Sequence, residues 1–363
     1  MPANGVTLEN GCKINLYLRV GARRPDAYHD IESLFLPLDT PRDTMRVRPL
    51  DGPMGRISVS FYAAAPDSVL PGDLPGTASG GSANDPPNGS PNGSRSAARK
   101  AEPLDGIDPG SNTLTRAYAL FAEASGFAPA LDIRVFKGIP QGAGLGGGSA
   151  NAAALLLHLQ RLAQKAGTPP LAEQALTTLA ARAGADVPFF LTGRSALVSG
   201  IGERLTPCAP PFPGAYLVLV CPRLCVATAW AFNSLDEQRA AQAAGTRAPQ
   251  GGPGVPAEDP RAAENPAQKN GAKRLTSVPP QASYSLAQAQ DFQNDFEDLV
   301  FAHFPELARL HGILCESGAK LARMSGTGAS LFAVYDEKRI AEKAAKMLAN
   351  EDASVYTQRL PAG

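Results

Sequence analysis

The sequence predicts a protein of the α+β class that is built as two domains. Segments with the apolar patterns of strands are mixed with segments of helical spacing, and no regular strand–helix–strand repeat links them. A chain of 363 residues is long enough for two domains with a sizeable shared core. We place an N-terminal domain over residues 1–210 and a C-terminal domain over residues 211–363.

Short apolar segments predict the strands. The first two lie at residues 14–20 and 57–62, and a third, at residues 131–136, alternates as a half-buried strand does. Two later apolar segments, residues 215–220 and 329–336, predict core strands in the second half of the chain.

Two helices are predicted after the third strand. The first begins near Ser149, carries Leu and Ala at helical spacing, and places His158 on its solvated side, so we do not expect His158 to be a ligand. It ends at the turn residues 167–170. The second is predicted over residues 171–183, with Gly184 as its C-cap.

Two stretches are too rich in small and polar residues to form a core. Residues 64–110 and 237–282 are dense in Gly, Pro, Ser, Asn or Ala, and cannot bury enough apolar area to offset the entropy of ordering them. We predict flexible surface insertions. The sequons at Asn88 and Asn92 fall in the first one and indicate a polar linker, since no secretory signal accompanies them.

Composition excludes several classes of protein. Lys plus Arg and Asp plus Glu both number 34, so the zero formal charge argues against a nucleic-acid partner or an anionic membrane surface. No run approaches the ~18 apolar residues of a membrane span, and the N-terminus lacks the basic and apolar regions of a signal peptide. The five cysteines are scattered and form no zinc pattern, so we expect reduced thiols in a cytoplasmic protein.

A glycine-rich loop is the main functional motif. Five of the seven residues 142–148 are glycine, and they separate a strand from a helix. Such a loop directs backbone N–H groups and a positive helix end to one place, and its lack of side chains lets a phosphate approach. Ser149 adds a hydroxyl that can cap the helix or face a phosphate or Mg²⁺. The alternative is a tight turn without a ligand, which so many glycines make the weaker interpretation.

The loop does not match the commonest phosphate-binding motifs. It lacks the Gly-Lys-Ser/Thr ending of a P-loop. Gly142, Gly144 and Gly147 fit the dinucleotide pattern Gly-x-Gly-x-x-Gly, but no strand ending in an acidic residue follows ~20 positions later. The companion motifs of protein kinases are also missing.

The stretch PQGAGLGGGSANAA, residues 140–153, resembles the central motif of the GHMP kinases. Further stretches resemble the branch of that family whose alcohol substrate carries cytidine diphosphate, and these are residues 12–39, 184–207, 294–297 and 324–336. The resemblance runs from about Lys13 to Asp336, apart from the two insertions. It implies an N-terminal domain like ribosomal protein S5 and a C-terminal domain of the α/β-plait type.

The resemblance also implies a reaction. The γ-phosphoryl group of ATP, bound with Mg²⁺, would pass to the 2-hydroxyl of a cytidine diphosphate-linked methylerythritol, in the non-mevalonate route to isoprenoid precursors. The partner would be this small molecule alone, and the chain a monomer or weak homodimer. The alternatives are a GHMP kinase for homoserine or a mevalonate derivative, and a non-catalytic nucleotide-binding scaffold.

The resemblance makes Asp186 the catalytic base and Lys13 its partner, with Asn15 orienting the substrate. Asp186 lies in the otherwise apolar stretch GADVPFFL, where a carboxylate is costly unless it is paired. The ammonium group of Lys13 would stabilise it. Without the flanking motifs, Asp186 could equally be an aspartate of a turn that ends a helix.

The resemblance also supplies a pocket for the cytosine base. Tyr28 and Phe232 would stack on its two faces, His29 would offer a ring nitrogen and its backbone to the base edge, and Thr228 would contact the same substrate. Homoserine and mevalonate carry no base, so these residues argue against them. The alternative for the two rings is core packing.

The nucleotide contacts follow from the same motif. Residues implied to hold the phosphates are Lys137, Pro140, Gly142, Ala143, Gly144, Leu145, Gly146, Gly147, Gly148 and Ser149. Asn112 is the candidate for adenine, and the turn over residues 325–328 would complete the site with backbone donors. The family commonly has Ser-Ser-Asn where this chain has Ser149-Ala150-Asn151, so one hydroxyl is missing and no metal ligand is assigned.

Overall fold

A computed structural model describes residues 5–63, 102–104, 107–108, 110–244 and 291–362. Most of the predicted insertion 64–110, with Asn88 and Asn92, lies outside the described residues, as do residues 245–282 of the second predicted insertion.

The first half of the chain forms a sheet that is six-stranded in the described residues. Its strands are β1 (Val6–Arg23), β2 (His29–Pro49), β3 (Ile57–Ala63), β4 (Leu131–Lys137), β5 (Ala196–Ser199) and β6 (Arg204–Pro207). The order is β3-β4-β2-β5-β6, with β1 paired to β2 in a long antiparallel hairpin. Only the β3–β4 pair is parallel among these described pairings.

Helices cover one face of this sheet. They are α1 (Thr113–Ser125), α2 (Gly147–Lys165), α3 (Glu173–Ala183) and α4 (Val187–Thr192). The apolar side of α2 is fully buried at Leu155, Leu156 and Leu159, where it packs with α1, α3 and the inward residues of β2 and β4. This packing places the N-terminus of α2 beside the end of β4, with the glycine loop between them.

The second half forms an antiparallel sheet of order β10-β7-β9-β8. Its elements are β7 (Tyr216–Pro222), α5 (Thr228–Ala243), α6 (Glu297–His303), α7 (Pro305–Glu316), β8 (Leu321–Met324), β9 (Leu331–Tyr335), α8 (Lys338–Leu348) and β10 (Ala353–Arg359).

The two sheets share a core. Ile14 and Leu36 of the first sheet and Leu219 and Phe332 of the second belong to one buried apolar cluster, which also includes Leu145 of the glycine loop. The loop is therefore held between the sheets, with one side in their common core.

The α+β prediction and the five predicted strands are confirmed, four of them within a residue or two of their expected ends. The first, predicted over residues 14–20, is longer and forms β1, Val6–Arg23. Gly184 does cap α3, since its N–H donates to the Ala180 carbonyl 3.0 Å away. The predicted start of that helix at residue 171 was wrong. The Gln160 side-chain amide bonds both backbone polar groups of Leu171, at 2.6 and 3.1 Å, and the helix begins only at Glu173.

Three further predictions need correction. The stretch 237–282 is not wholly an insertion, because its first residues are helical up to Ala243, where Arg239 binds backbone carbonyls of β1. Ser149 does not cap α2, because Gly146 is the N-cap and Ser149 is the third helical residue. His158 is half-buried rather than solvated, and burial, followed by nearby Arg161 and Lys165, lowers its pKa. No helix in the described ranges has the length and apolar character needed to cross a bilayer.

Candidate active site

The glycine loop depends on backbone conformations that favour glycine. Gly142, Gly144 and Gly146 have φ of 66°, 73° and 73°, in the left-handed region. A Cβ at Gly144 would lie 2.7 Å from the carbonyl oxygen of Ser325 and 3.0 Å from that of Gly328. The loop thus packs backbone against backbone onto the predicted turn 325–328, and at Gly144 no side chain fits between them.

A cavity of about 620 Å³, which we call the loop cavity, opens above this loop. All of the predicted phosphate-contact residues line it, namely Lys137, Pro140, Gly142, Ala143, Gly144, Leu145, Gly146, Gly147, Gly148 and Ser149. The first turn of the 19-residue helix α2 presents unpaired backbone N–H groups and a positive dipole end there. The arrangement suits an anionic ligand of nucleotide size.

Asn112 lines the loop cavity and is the N-cap of α1. Its Oδ1 accepts hydrogen bonds from the N–H groups of Leu114 and Thr115, both at 3.0 Å, and so caps α1. This capping fixes the N-terminus of α1 beside the loop. Contact of Asn112 with adenine remains a prediction.

A second cavity of about 540 Å³, the aromatic cavity, holds the predicted substrate residues. They are Lys13, Asn15, Tyr28, His29, Asp186, Thr228 and Phe232. Gly144, Gly146 and Thr228 line both cavities. A group bound in one cavity can therefore reach a group bound in the other across the glycine loop.

Lys13 and Asp186 form an ion pair in the aromatic cavity, and Lys13 lies next to Gly146 of the glycine loop. The Nζ atom of Lys13 lies 3.4 Å from Oδ2 of Asp186, and the lysine side chain is 6% exposed against 28% for the aspartate. Nζ also donates to Oδ1 of Asn15 at 2.7 Å and lies 4.6 Å from the ring centroid of Phe35. The carboxylate therefore opens to the cavity while its cationic partner is held inside.

One wall of the predicted base pocket is formed by side chains that contact one another. The ring of His29 lies 5.1 Å from that of Phe232, and Nε2 of His29 is 2.9 Å from Oδ1 of Asp236. Phe232 also packs edge-on against Phe296, whereas Tyr28 is 60% exposed. His29 keeps Nδ1 for a ligand, whereas its backbone pairs with Arg23 in the β1–β2 hairpin. Stacking of a base between Tyr28 and Phe232 remains a prediction.

Lys137 is bound by a residue that sequence reasoning missed. Its ammonium group forms an ion pair with Asp43, whose side chain is fully buried. The signal lay in strand β2, where Pro41, Asp43, Met45 and Val47 share the inward face, so that one charged residue stands in an apolar row.

Comparisons with known proteins agree with this geometry. The signature of the GHMP kinases N terminal domain matches residues 112–194, and that of the GHMP kinases C terminal domain matches residues 283–353. The 4-diphosphocytidyl-2-C-methyl-D-erythritol kinase of Nitratidesulfovibrio vulgaris (strain DP4) is 39% identical over 98% of this chain and 99% of its own. The enzyme of the same name from Solidesulfovibrio magneticus is 35% identical over 98% and 97%.

The chain belongs to the 4-diphosphocytidyl-2-C-methyl-D-erythritol kinase family, a branch of the GHMP kinases. A crystal structure of 4-(cytidine 5'-diphospho)-2C-methyl-D-erythritol kinase superposes with a TM-score of 0.60 at 26% identity, covering 99% of this chain and 100% of the other. This member of the family is accordingly an ATP-dependent kinase of a small molecule, as the resemblance to the GHMP kinases implied.

Residues of the C-terminal half of this GHMP kinase hold the turn 325–328 in place through hydrogen bonds. Nδ2 of buried Asn294 donates to the carbonyls of Met324 and Gly326, both at 2.8 Å, and Oε1 of Glu297 accepts the Met324 N–H at 2.7 Å. Ser325 in turn accepts the N–H of Asn15 at 3.1 Å. The turn thereby fixes the strand that carries Lys13 and Asn15.

The described residues of this kinase contain no cluster of three or more His, Cys, Asp or Glu that could hold a metal ion. All five cysteines are free, which confirms that they form no disulfides.

Replacing Gly144 by alanine should destabilise this kinase. The Cβ would meet two carbonyl oxygens and force a left-handed residue, which costs on the order of 1–3 kcal/mol before any clash is counted. We expect thermal unfolding several degrees lower for Gly144→Ala. Gly148→Ala is the matched control, because a Cβ there meets nothing within 4 Å. Equal melting temperatures for the two variants would contradict the proposed packing.

The stability of this kinase should depend on pH through Glu297. Burial raises the pKa of this carboxyl from 4.5 to about 7, so the folded state holds the proton more tightly than the unfolded state. The stabilisation is full below pH 4.5 and is lost as the pH rises through about 7, by about 3 kcal/mol at most.

Glu297→Gln keeps an acceptor for the Met324 N–H and removes the titration. Urea unfolding between about pH 5 and 8 should show wild-type stability falling relative to this variant. Glu351→Gln is the control, because the bond to Arg309 lowers the pKa of Glu351 and places its effect at lower pH. Parallel curves for wild type and Glu297→Gln would show that Glu297 does not titrate in this range.

Proposed function

We propose that this kinase transfers the γ-phosphoryl group of ATP to the 2-hydroxyl of 4-diphosphocytidyl-2-C-methyl-D-erythritol, a step of the non-mevalonate route to isoprenoid precursors. The observation that carries the proposal is the Lys13–Asp186 pair in the aromatic cavity, which shares Gly144 and Gly146 with the loop cavity. Full-length identity of 39% to an enzyme named for this substrate supports it.

The loop cavity would bind the ATP phosphates. Backbone N–H groups of the glycine loop and of the first turn of α2 would bind their oxygens, and the Lys137 ammonium below the loop adds positive charge. Because these donors are fixed before the ligand arrives, little reorganisation is needed during transfer.

Asp186 would act on the acceptor alcohol. Its partly exposed carboxylate can accept the proton of the hydroxyl group as that oxygen attacks the γ-phosphorus. The buried Lys13 ammonium, 3.4 Å from the carboxylate, would stabilise the charge that develops on the attacking oxygen. Asn15 holds Lys13 in this position through its 2.7 Å hydrogen bond.

The aromatic cavity would select the substrate. Phe232 and His29 form an aromatic wall and Tyr28 stands exposed at the same cavity, which suits a flat base and has no purpose for homoserine or a mevalonate derivative. Thr228, which lines both cavities, lies where the linking diphosphate would pass. A non-catalytic scaffold is disfavoured because it would not need a buried lysine paired with a cavity aspartate.

We also infer that ATP binds as its Mg²⁺ complex. Mg²⁺ prefers hard oxygen ligands and usually takes most of them from phosphates and water, with one or two from the protein. The Ser149 hydroxyl lines the loop cavity, and such an oxygen donor fits Mg²⁺. The ion would neutralise phosphate charge during transfer.

The remaining proposals concern organisation. Strands of the first sheet end by Pro207 and those of the second begin at Tyr216, which supports domains over residues 1–210 and 211–363. We propose a monomer or weak homodimer whose partner is the small-molecule substrate. Five free cysteines and a zero formal charge support a cytoplasmic enzyme.

Asp186→Asn should lower kcat by about 10²–10⁴, the usual contribution of a general base. The KM for ATP should stay within about twofold, because the phosphate donors lie on the loop and not on Asp186. Asp352→Asn is the control, since it makes the same change in a surface ion pair with Arg223. Coupled measurement of ADP release gives both constants, and near-normal turnover of Asp186→Asn would reject the assignment.

Phe232→Leu should raise the KM for the cytidine substrate about tenfold, through the loss of ring stacking and buried area. The KM for ATP should be unchanged, and the melting temperature checks that packing against Phe296 survives. A panel of alcohols tests the choice of substrate in wild type. ADP release driven by homoserine or mevalonate instead of the cytidine compound would refute the proposal.

A further inference from the structure

We propose that Asp43 is a positioning residue for ATP binding. It acts through Lys137 and through the backbone of residues 138–139, where the glycine loop begins. The inference rests on the proposed binding of ATP phosphates in the loop cavity. Asp43 lies in β2 and does not itself line that cavity, but it binds two residues that do, Lys137 and Asn151.

The Asp43 carboxylate binds several parts of the chain around the glycine loop. Its Oδ1 accepts the N–H groups of Gly138 and Ile139, both at 2.9 Å. Its Oδ2 accepts Nδ2 of Asn151 at 2.7 Å and pairs with the Lys137 ammonium. Two donors on each oxygen fill the acceptor capacity of a carboxylate. Strand β2 is thereby tied to the end of β4, to the start of the loop and to α2.

The burial of this group indicates a dedicated role. Asp43 is 0% exposed, and an unpaired carboxylate would be excluded from such a place. Asn151 is itself buried and accepts Nδ2 of Asn10 at 2.8 Å, which extends the network to β1. The network connects β1, β2, β4 and α2 beside the glycine loop.

The position of Lys137 depends on this carboxylate. A Cβ at Gly147 would lie 3.2 Å from Nζ of Lys137, so the ammonium group sits directly beneath the first residue of α2. A cation at a helix N-terminus is repelled by the helix dipole. Asp43 offsets that repulsion and holds the charge beside the loop, at the cavity that the phosphates would enter.

Asp43→Asn separates this role from simple packing. The variant has nearly the same shape, but its Nδ2 would face the Lys137 ammonium and the donors of Asn151. We expect the Kd of a non-hydrolysable ATP analogue, measured by calorimetry, to rise at least tenfold. The KM for ATP should rise in parallel, while the KM for the cytidine substrate stays within twofold.

Asp132→Asn is the matched control. Asp132 lies on β4, five residues before Lys137, and pairs with Arg134 at 2.9 Å. It is a carboxylate of the same sheet that does not reach the loop, so the analogue should bind this variant as it binds wild type. A purely structural effect of Asp43→Asn would lower the active fraction and leave both KM values unchanged, which would overturn the proposal.

A double-mutant cycle tests the route through Lys137. Lys137→Met removes the charge that Asp43 holds. The double variant Lys137→Met/Asp43→Asn should therefore bind the analogue with a Kd less than threefold above that of Lys137→Met alone. Full additivity of the two losses would overturn the coupling. If Asp43→Asn does not fold, Asn151→Ala takes its place, with an expected loss of at least threefold in analogue affinity and none in the KM of the cytidine substrate.

The outcomes also distinguish the two proposals. Wild type that binds no ATP analogue would refute the proposed function together with this inference. Wild type that binds it, with Asp43→Asn and Asn151→Ala binding equally well, would refute the role of Asp43 alone.

Discussion

The direct contact of two backbone turns is the constraint on which the rest of the site depends. Gly144 of the glycine loop packs on the carbonyls of Ser325 and Gly328, so the two turns meet there without intervening side chains. The Ser330 N–H also donates to the Ala143 carbonyl at 3.4 Å, next to this contact. Because neither turn has room to shift, the loop cavity and the aromatic cavity stay side by side.

Two ion pairs lie near this contact, an outer one that opens to the aromatic cavity and an inner one that is buried. Buried ion pairs are costly unless further hydrogen bonds satisfy their atoms, and both pairs beside the loop meet that condition. Lys13 is held by Asn15 and faces Asp186 at the cavity, whereas Lys137 is held by fully buried Asp43 below the loop. The outer pair leaves a carboxylate accessible for proton transfer, and the inner pair gives the loop a fixed positive support.

The sequence predicted what depends on local pattern. The glycine loop, the strands around it and the paired motifs at Lys13 and Asp186 were recognisable because glycine content, alternation and short motifs are local properties. The contacts of Gly144 and the donors of Asp43 were not, because they join residues more than 90 positions apart. The predicted start of α3 was wrong because the Gln160 side chain, from another helix, binds the backbone of Leu171. A lone charge on the inward face of β2 was the one available signal for Asp43.

The distance from the acceptor hydroxyl oxygen to the Asp186 carboxylate tests the central claim most directly. A crystal structure with a non-hydrolysable ATP analogue and the cytidine substrate would give it. The two-cavity arrangement predicts a separation of about 3 Å, with the γ-phosphate between the glycine loop and that oxygen. A hydroxyl group far from Asp186, or a nucleotide bound away from the glycine loop, would contradict it.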